Sequence, residues 1–422
     1  MQEIKKWWKK VKLGEISTLE YWYWAPSTEK NTWYKYLRIT DITSDTINFD
    51  TVPYCEITEK DYQKYKLNDW DIVIARTWAT AWYAKLIKNP YNLVFAGYLI
   101  RSSANRDTVN PIFLWSIIES SIFKDFIDKH KWWAAQPHAN VPVIKNFSFL
   151  LPPLPTQQKI ASILSKYDDL IENNNKRIKI LEETAQSIYE EWFVKYNFPW
   201  SENIKMIDSG NDDFGMIPEG WEVWRLEDYV KIIKWISYKS TELSDSWFPF
   251  VNLKCFNRWW WFRRDWIKWF TWTVKLEKKV FSWDLVMAVT DMTQWREIVA
   301  RVAMIPNTIN EATISCDVIK IEPKNIDKSY LYYFLRFSTF SDNTKMKANW
   351  ANVLHLSPSV IGEFDIILPE KNIIKNFWII TEKIISEMDN LEIQNQNLKE
   401  TRDLLIPRLV NGELDVESLD VK

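Results

Sequence analysis

Apolar residues recur at alternating steps of four and three between residues 156 and 195. Ile160, Leu164, Tyr167, Ile171, Ile178, Leu181, Ala185, Ile188 and Trp192 fall on one stripe, with Asn174 in its gap. That spacing is a heptad seam and predicts a helix with one buried edge. The run has no Gly and no Pro over 40 residues, so the helix would be roughly 60 Å long. Pro152, Pro153 and Pro155 mark its start, and Thr156 is the N-cap candidate by residue type.

The same object occurs once more. Residues 372–410 place Phe377, Ile384, Met388, Leu391, Leu398, Leu405 and Leu409 on one seam, with Thr381, Asn395 and Arg402 as polar members. Leu398 and Leu181, Thr401 and Thr184, and Pro369 and Pro152 are each 217 residues apart. Two long single-seam helices in one chain most simply pack on each other.

The segments before the helices repeat as well. Trp221 and Trp8, Leu226 and Leu13, Trp283 and Trp70, and Trp295 and Trp82 all differ by 213, whereas Trp350 and Trp133 differ by 217. The unit is a domain plus a long helix, used twice, which suggests duplication and an approximate internal dyad. Its period is too long for a solenoid. Within the first copy, alternation predicts strands over 36–42, 71–76 and 147–151 and helical spacing over 113–129. Strands over 250–253 and 284–289 answer them in the second. The expected organisation is a domain over 1–154, a helix over 155–197, a polar linker over 198–219, a domain over 220–369, a helix over 370–412 and a tail over 413–422. The fold class is α+β.

Composition changes the picture in one respect. The chain has 27 Trp but only 7 Gly in 422 residues, where about 7% Gly is ordinary. Trp70 and Trp283 precede Asp in D-W-D-I-V and S-W-D-L-V, a usual place for a turn glycine. Trp259, Trp260 and Trp261 form a run among loop-like residues. A chain so poor in glycine lacks residues for positive φ. Some bacterial lineages read UGA as glycine, while a common alternative table translates it as tryptophan. Many of these Trp are therefore expected to be glycines in the living protein. Trp8, Trp192 and Trp221 sit at apolar or helical positions and are expected to be true.

Charge and cysteine content bound the function only loosely. The formal net charge is −2, so no global basic field advertises nucleic acid, although local patches matter more. Cys55, Cys255 and Cys316 are few and scattered, which suggests a reducing compartment without disulfides or a zinc site. Residues 1–12 lack the apolar core of a signal peptide, and no window is long and apolar enough to span a membrane. A cytoplasmic location is expected.

Catalytic signatures are missing from the sequence. There is no G-x-x-x-x-G-K-[ST], no H-E-x-x-H and no G-x-S-x-G. His130, His138 and His355 are spread along the chain, and Asn89-Pro90-Tyr91 reads as a turn. No catalytic residue, metal or cofactor is expected in this chain. The polar loops instead read as contact surfaces. Arg76, Thr77 and Thr80 follow a strand in the first repeat, and Thr290, Thr293, Gln294 and Arg296 stand at matching places in the second. Gln136, His138 and Asn140 answer Asn349, Asn352 and His355. These are side chains that read base edges. Lys35, Arg38, Arg258, Arg263, Arg264, Lys345 and Lys347 are candidates for phosphates.

Three segments carry a family resemblance: L-P-P-L-P-T-Q-Q-K-I-A-S-I-L (151–164), I-P-E-G-W-E-V (217–223) and L-K-E-T-R-D-L-L-I-P-R-L-V-N-G-E-L-D-V (398–416). Over essentially its whole length the chain resembles the specificity subunit of a Type I restriction–modification system. Where that family has Gly, this chain has Trp70, Trp78 and Trp350, in line with the recoding expectation. The resemblance implies two target recognition domains, each reading half of a split, asymmetric site in double-stranded DNA. It implies that the two long helices form an antiparallel coiled coil that spaces them, and a dyad inferred from the repeat reaches the same arrangement. Asn174 and Asn395 would fix the register. The resemblance also implies two modification subunits as partners, which carry S-adenosylmethionine, and a separate translocase–nuclease subunit. Two rival readings are a coiled-coil scaffold that reads no DNA and a stand-alone DNA-modifying enzyme. The codons at Trp78 and Trp283 test the recoding directly: UGA is expected at both, and UGG at both would refute it.

Overall fold

A computed structural model describes residues 7–21, 24–43, 47–76, 83–131, 140–234, 240–244, 247–256, 262–271, 274–291, 296–350 and 353–416. The chain divides into two compact units, one of residues 1–175 with 392–422 and one of residues 176–391. The boundary cuts both long helices, so each unit holds one domain and a stretch of each helix.

In the first unit an antiparallel sheet runs Ser17–Tyr21, Leu99–Ala104, Ile72–Ala75, Ala84–Leu86 in spatial order. Strand alternation sends Ile72 and Ile74 to one face and Val73 and Ala75 to the other. Ile72 and Ile74 join the core that includes Phe113, Leu114 and Ile117. Val73 and Ala75 pack in a second core with Leu37 and Phe95. Burial on both faces explains why this strand reads as an unbroken apolar run. Lys9–Lys12 pairs antiparallel with Ser148–Leu151, which brings the start of the domain beside the entry to the first long helix.

The second unit repeats this plan. Its corresponding sheet runs Val230–Lys234, Val318–Pro323, Leu285–Ala288, Val302–Met304. Glu222–Arg225 pairs with Asp365–Leu368 just before the second long helix. Two helices, Lys328–Phe337 and Phe340–Met346, stand where the first unit has Pro111–Glu119 and Ser121–Lys131.

Several local expectations are corrected. The strand expected over 36–42 ends at Leu37, and Ile39–Ile42 is a helical turn. Asp41 causes the switch, because its carboxylate accepts the Arg38 backbone N–H at 2.7 Å. The helix expected over 113–129 is two helices. Ser120 is extended between them, and its hydroxyl donates to the Ile117 carbonyl at 2.6 Å. The first long helix is regular over Leu154–Tyr189 and closes in a π-helical turn over Glu190–Val194. The second spans Lys371–Val410. The polar linker contains a small hairpin, Met206–Asp208 with Met216–Pro218.

The seam positions lie at buried or half-buried places on the two helices. Ile160, Leu164, Ile171, Asn174, Ile178, Phe377, Ile384, Met388, Leu391 and Asn395 are buried, and Leu181, Ile188, Leu398 and Leu405 are half-buried. Within the first unit Asn174 donates to Asn395 at 2.9 Å, and Arg402 lies 2.5 Å from Asp168. Within the second unit Arg177 bonds Glu387 at 2.8 Å, and the Trp192 and Phe377 rings are 5.9 Å apart. In both sets the residue numbers run in opposite directions, so the paired helix stretches of each unit are antiparallel.

Among the described residues, five tryptophans, Trp33, Trp70, Trp200, Trp247 and Trp283, hold positive φ. That is the backbone region glycine favours, and a side chain there costs about 1–2 kcal/mol. Trp70 and Trp283 are the two residues placed before Asp in the sequence argument. Trp78, Trp82, Trp259, Trp260 and Trp261 lie outside the described residues. Trp200 has φ +71° and is 78% exposed, so it gives the cleanest test. Trp200→Gly should raise unfolding free energy by about 1 kcal/mol in denaturant titrations. A second prediction concerns Asp168. Burial raises its pKa to about 6, with Arg402 opposing the rise and Glu119 adding to it. An acid with a raised folded-state pKa favours folding when protonated, so stability should fall as pH rises from about 4 through about 6. Asp168→Asn should flatten that part of the pH profile.

Candidate nucleic-acid interface

In the first unit Arg76 follows the strand Ile72–Ala75 directly. Its backbone N–H donates to the Tyr98 carbonyl at 3.0 Å, which fixes where the side chain leaves the sheet. The guanidinium lies 5.7 Å from the centre of the Tyr21 ring, a cation–π distance. Partial burial lowers the Arg76 pKa, and Tyr21 and Tyr98 oppose the shift; an arginine remains a cation regardless. The Tyr21 hydroxyl in turn accepts the Val141 N–H at 3.2 Å. Asn140, next in the chain, is exposed and caps the Val141–Lys145 helix by accepting from the Val143 N–H at 3.0 Å. Tyr21 therefore brings the neighbourhoods of Arg76 and Asn140 together, although they are far apart in sequence. Thr77, Thr80, Gln136 and His138 lie outside the described residues.

The second unit gathers more of the expected set. Thr290–Asp291, Leu354–His355 and Asn349–Trp350 form a small three-stranded sheet. His355 is the central member, opposite Thr290 on one side and Asn349 on the other. Residues directly opposed across strands share a face. His355 and Asn349 are exposed, while Thr290 is buried and donates to Asp317 at 3.0 Å. Arg296, at φ +52°, reaches the Ala348 carbonyl at 3.5 Å and the Met346 sulfur at 3.3 Å. That contact tethers its guanidinium beside Asn349. Thr293, Gln294 and Asn352 lie outside the described residues.

The phosphate candidates separate into different roles. Arg264 pairs with Asp389 at 2.6 Å, its side chain 10% exposed and the aspartate 1%. This pair fastens the domain to the second long helix, so Arg264 is committed to the fold. Arg38 is held by Asp41 through two side-chain bonds, and Lys35 donates to the Phe49 carbonyl at 2.6 Å. Lys345 pairs with Asp342, and Lys347 with Glu363 at 2.8 Å. These exposed pairs hold their partners weakly. Arg258 lies outside the described residues.

Arg263 belongs to a group the sequence reading saw only in part. Its guanidinium is 5.3 Å from the Trp266 ring, and the Lys254 amine lies 4.3 Å from the same ring. Burial lowers the Lys254 pKa, and the positive charges of Lys268 and Arg263 lower it further. A cluster of cations that repel each other is stabilised by an anion. Lys254 and Lys268 carry no motif, because they meet only through the turn at Arg264–Trp266. Tyr21 was missed because a tyrosine ending a strand looks like any other β-favouring residue.

Among the described residues no group of three or more His, Cys, Asp or Glu side chains is arranged to hold a metal. Among the same residues no helix is long and apolar enough to cross a membrane. What the surface offers is hydrogen-bonding and cationic side chains, one set in each unit.

The family model described as the Type I restriction modification DNA specificity domain matches residues 5–183. The Type I restriction enzyme MjaIX specificity subunit of Methanocaldococcus jannaschii is 25% identical over 86% of this chain and 82% of its own length. The Type I restriction enzyme HindI specificity subunit of Haemophilus influenzae is 22% identical over 74% of this chain and 79% of its own length. Among solved structures, the S subunit of a Type I restriction–modification system from M. genitalium aligns over 97% of this chain and 98% of its own, at 12% identity and a TM-score of 0.48.

Proposed function

The chain belongs to the specificity subunits of Type I restriction–modification systems, and we propose that each of its two domains reads one half of a bipartite DNA site. The observation that carries the reading is the doubling. Two domains of the same strand order, each on its own stretch of two long helices, present different polar sets after equivalent strands. Arg76 and Asn140 form one set; Arg296, Asn349 and His355 form the other. Arg and Asn side chains distinguish guanine and adenine in the major groove. Because the two sets differ, the two half-sites should differ, and the site should be asymmetric. Lys254, Arg263 and Lys268 supply positive charge for phosphates, which positions the duplex without reading it.

In this reading the two long helices form an antiparallel coiled coil related by an approximate dyad, and their length sets the gap between half-sites. The chain itself is non-catalytic. Two modification subunits would bring S-adenosylmethionine and the adenine methylation, and a separate subunit the translocation and cleavage. A non-reading scaffold explains the helices but not the doubled polar sets.

Mapping of methylated adenines in cells carrying the system tests the proposal. A split motif with two unlike halves is expected. Arg76→Ala should relax one half by about 1–3 kcal/mol of discrimination, and Arg296→Ala should relax only the other. A contiguous motif, or loss of both halves with either substitution, would refute the assignment.

A further inference from the structure

In each unit a half-buried charge pair fastens a domain helix to a long helix, and the two pairs have opposite polarity. In the first unit Glu119, closing the Pro111–Glu119 helix, lies 3.6 Å from Arg402 of the second long helix. Arg402 also holds Asp168 at 2.5 Å. In the second unit Arg336, on the Lys328–Phe337 helix, pairs with Glu182 of the first long helix and donates to the Tyr332 hydroxyl. Glu119 and Arg336 differ by 217, the offset of the repeat, so they are equivalent positions carrying opposite charge. The residue 217 before Arg402 is Ala185, one turn from Glu182 on the same helix, so the partners are nearly equivalent too.

Glu119, Arg402, Arg336 and Glu182 are between 7% and 22% exposed, so water screens them only in part. A buried charge needs an opposite charge, and a like charge in that place is repulsive. The seam carries the same asymmetry. Asn174 bonds Asn395 in the first unit, whereas the positions 217 removed, Leu391 and Ile178, are both apolar and buried.

We propose that these pairs are a polarity key that assigns each domain to its own helix stretches and rejects the other domain there. The second domain seated in the first position would set Arg336 against Arg402. The first domain seated in the second position would set Glu119 against Glu182. The key therefore selects against exchange of domains within the chain and against misplaced domains from a second copy. Its existence does not depend on DNA reading. Its consequence, that the order of the two half-sites is fixed, rests on the function proposed above.

The test is a full-length chain in which residues 222–368 also replace residues 9–151, so that the second domain occupies both positions. One version keeps Arg336 in the transplanted copy, and the other carries Arg336→Glu there. The Arg336→Glu version should melt at least about 5 °C higher. Equal melting, or higher melting of the version that keeps Arg336, overturns the key. If neither folds, the unexchanged chain decides. Arg336→Glu should lower its melting temperature, and adding Glu182→Arg should restore most of the loss. An absence of recovery overturns the key. These melting readouts need no DNA, so they fail or succeed separately from the reading function.

Discussion

The buried seam on the two long helices is the constraint on which the rest depends. A helix of 36 residues and one of 40 have too little intrinsic stability to stay straight and exposed in water. Their apolar edges must be covered, and within each unit they cover one another and the domain beside them. Ile160, Leu164, Ile406 and Leu409 belong to the same core as the helices of the first domain. Ile178, Ala185, Phe377 and Met388 belong to the core of the second. Each domain's own core continues into the helix stretches of its own unit.

Polar groups refine what the apolar seam permits. A seam of Leu and Ile alone tolerates a shift of register by a turn or a heptad, because every layer resembles the next. The Asn174–Asn395 layer does not, since a slip would bury amides without partners. The ion pairs of Arg402, Arg336 and Arg264 add direction between domain and helix. Such pairs contribute little net stability relative to apolar packing, and their stronger effect is to penalise wrong arrangements. The surfaces that face outward are under no such restriction, so the two domains are free to differ there.

The parts of this arrangement that were legible in the sequence are those set by periodicity. The seam positions stood out because four-three spacing persists over about nine helical turns, and Ile72–Ala75 was read because a strand buried on both faces is apolar throughout. Residues 36–42 misled, since alternation is indifferent to a side chain such as Asp41 that folds back on its own backbone. Arg264 misled in another way. Its position in a polar loop looks like a phosphate contact, yet its partner Asp389 is 125 residues away, a pairing no local pattern reveals. Tyr21 and Lys254 act through neighbours brought in by the fold and so were silent. The tryptophans were legible for a different reason: at Trp70 and Trp283 the sequence context asked for a glycine, and the backbone adopts glycine's conformation.

In the function proposed above, the two long helices hold two different readers at a set separation. Removing one heptad from each long helix, in register, keeps both seams intact and shortens the frame by about 10 Å. The methylated motif should then keep both half-sites while its spacer shortens by about three base pairs. Unchanged half-sites with an unchanged spacer would contradict the account.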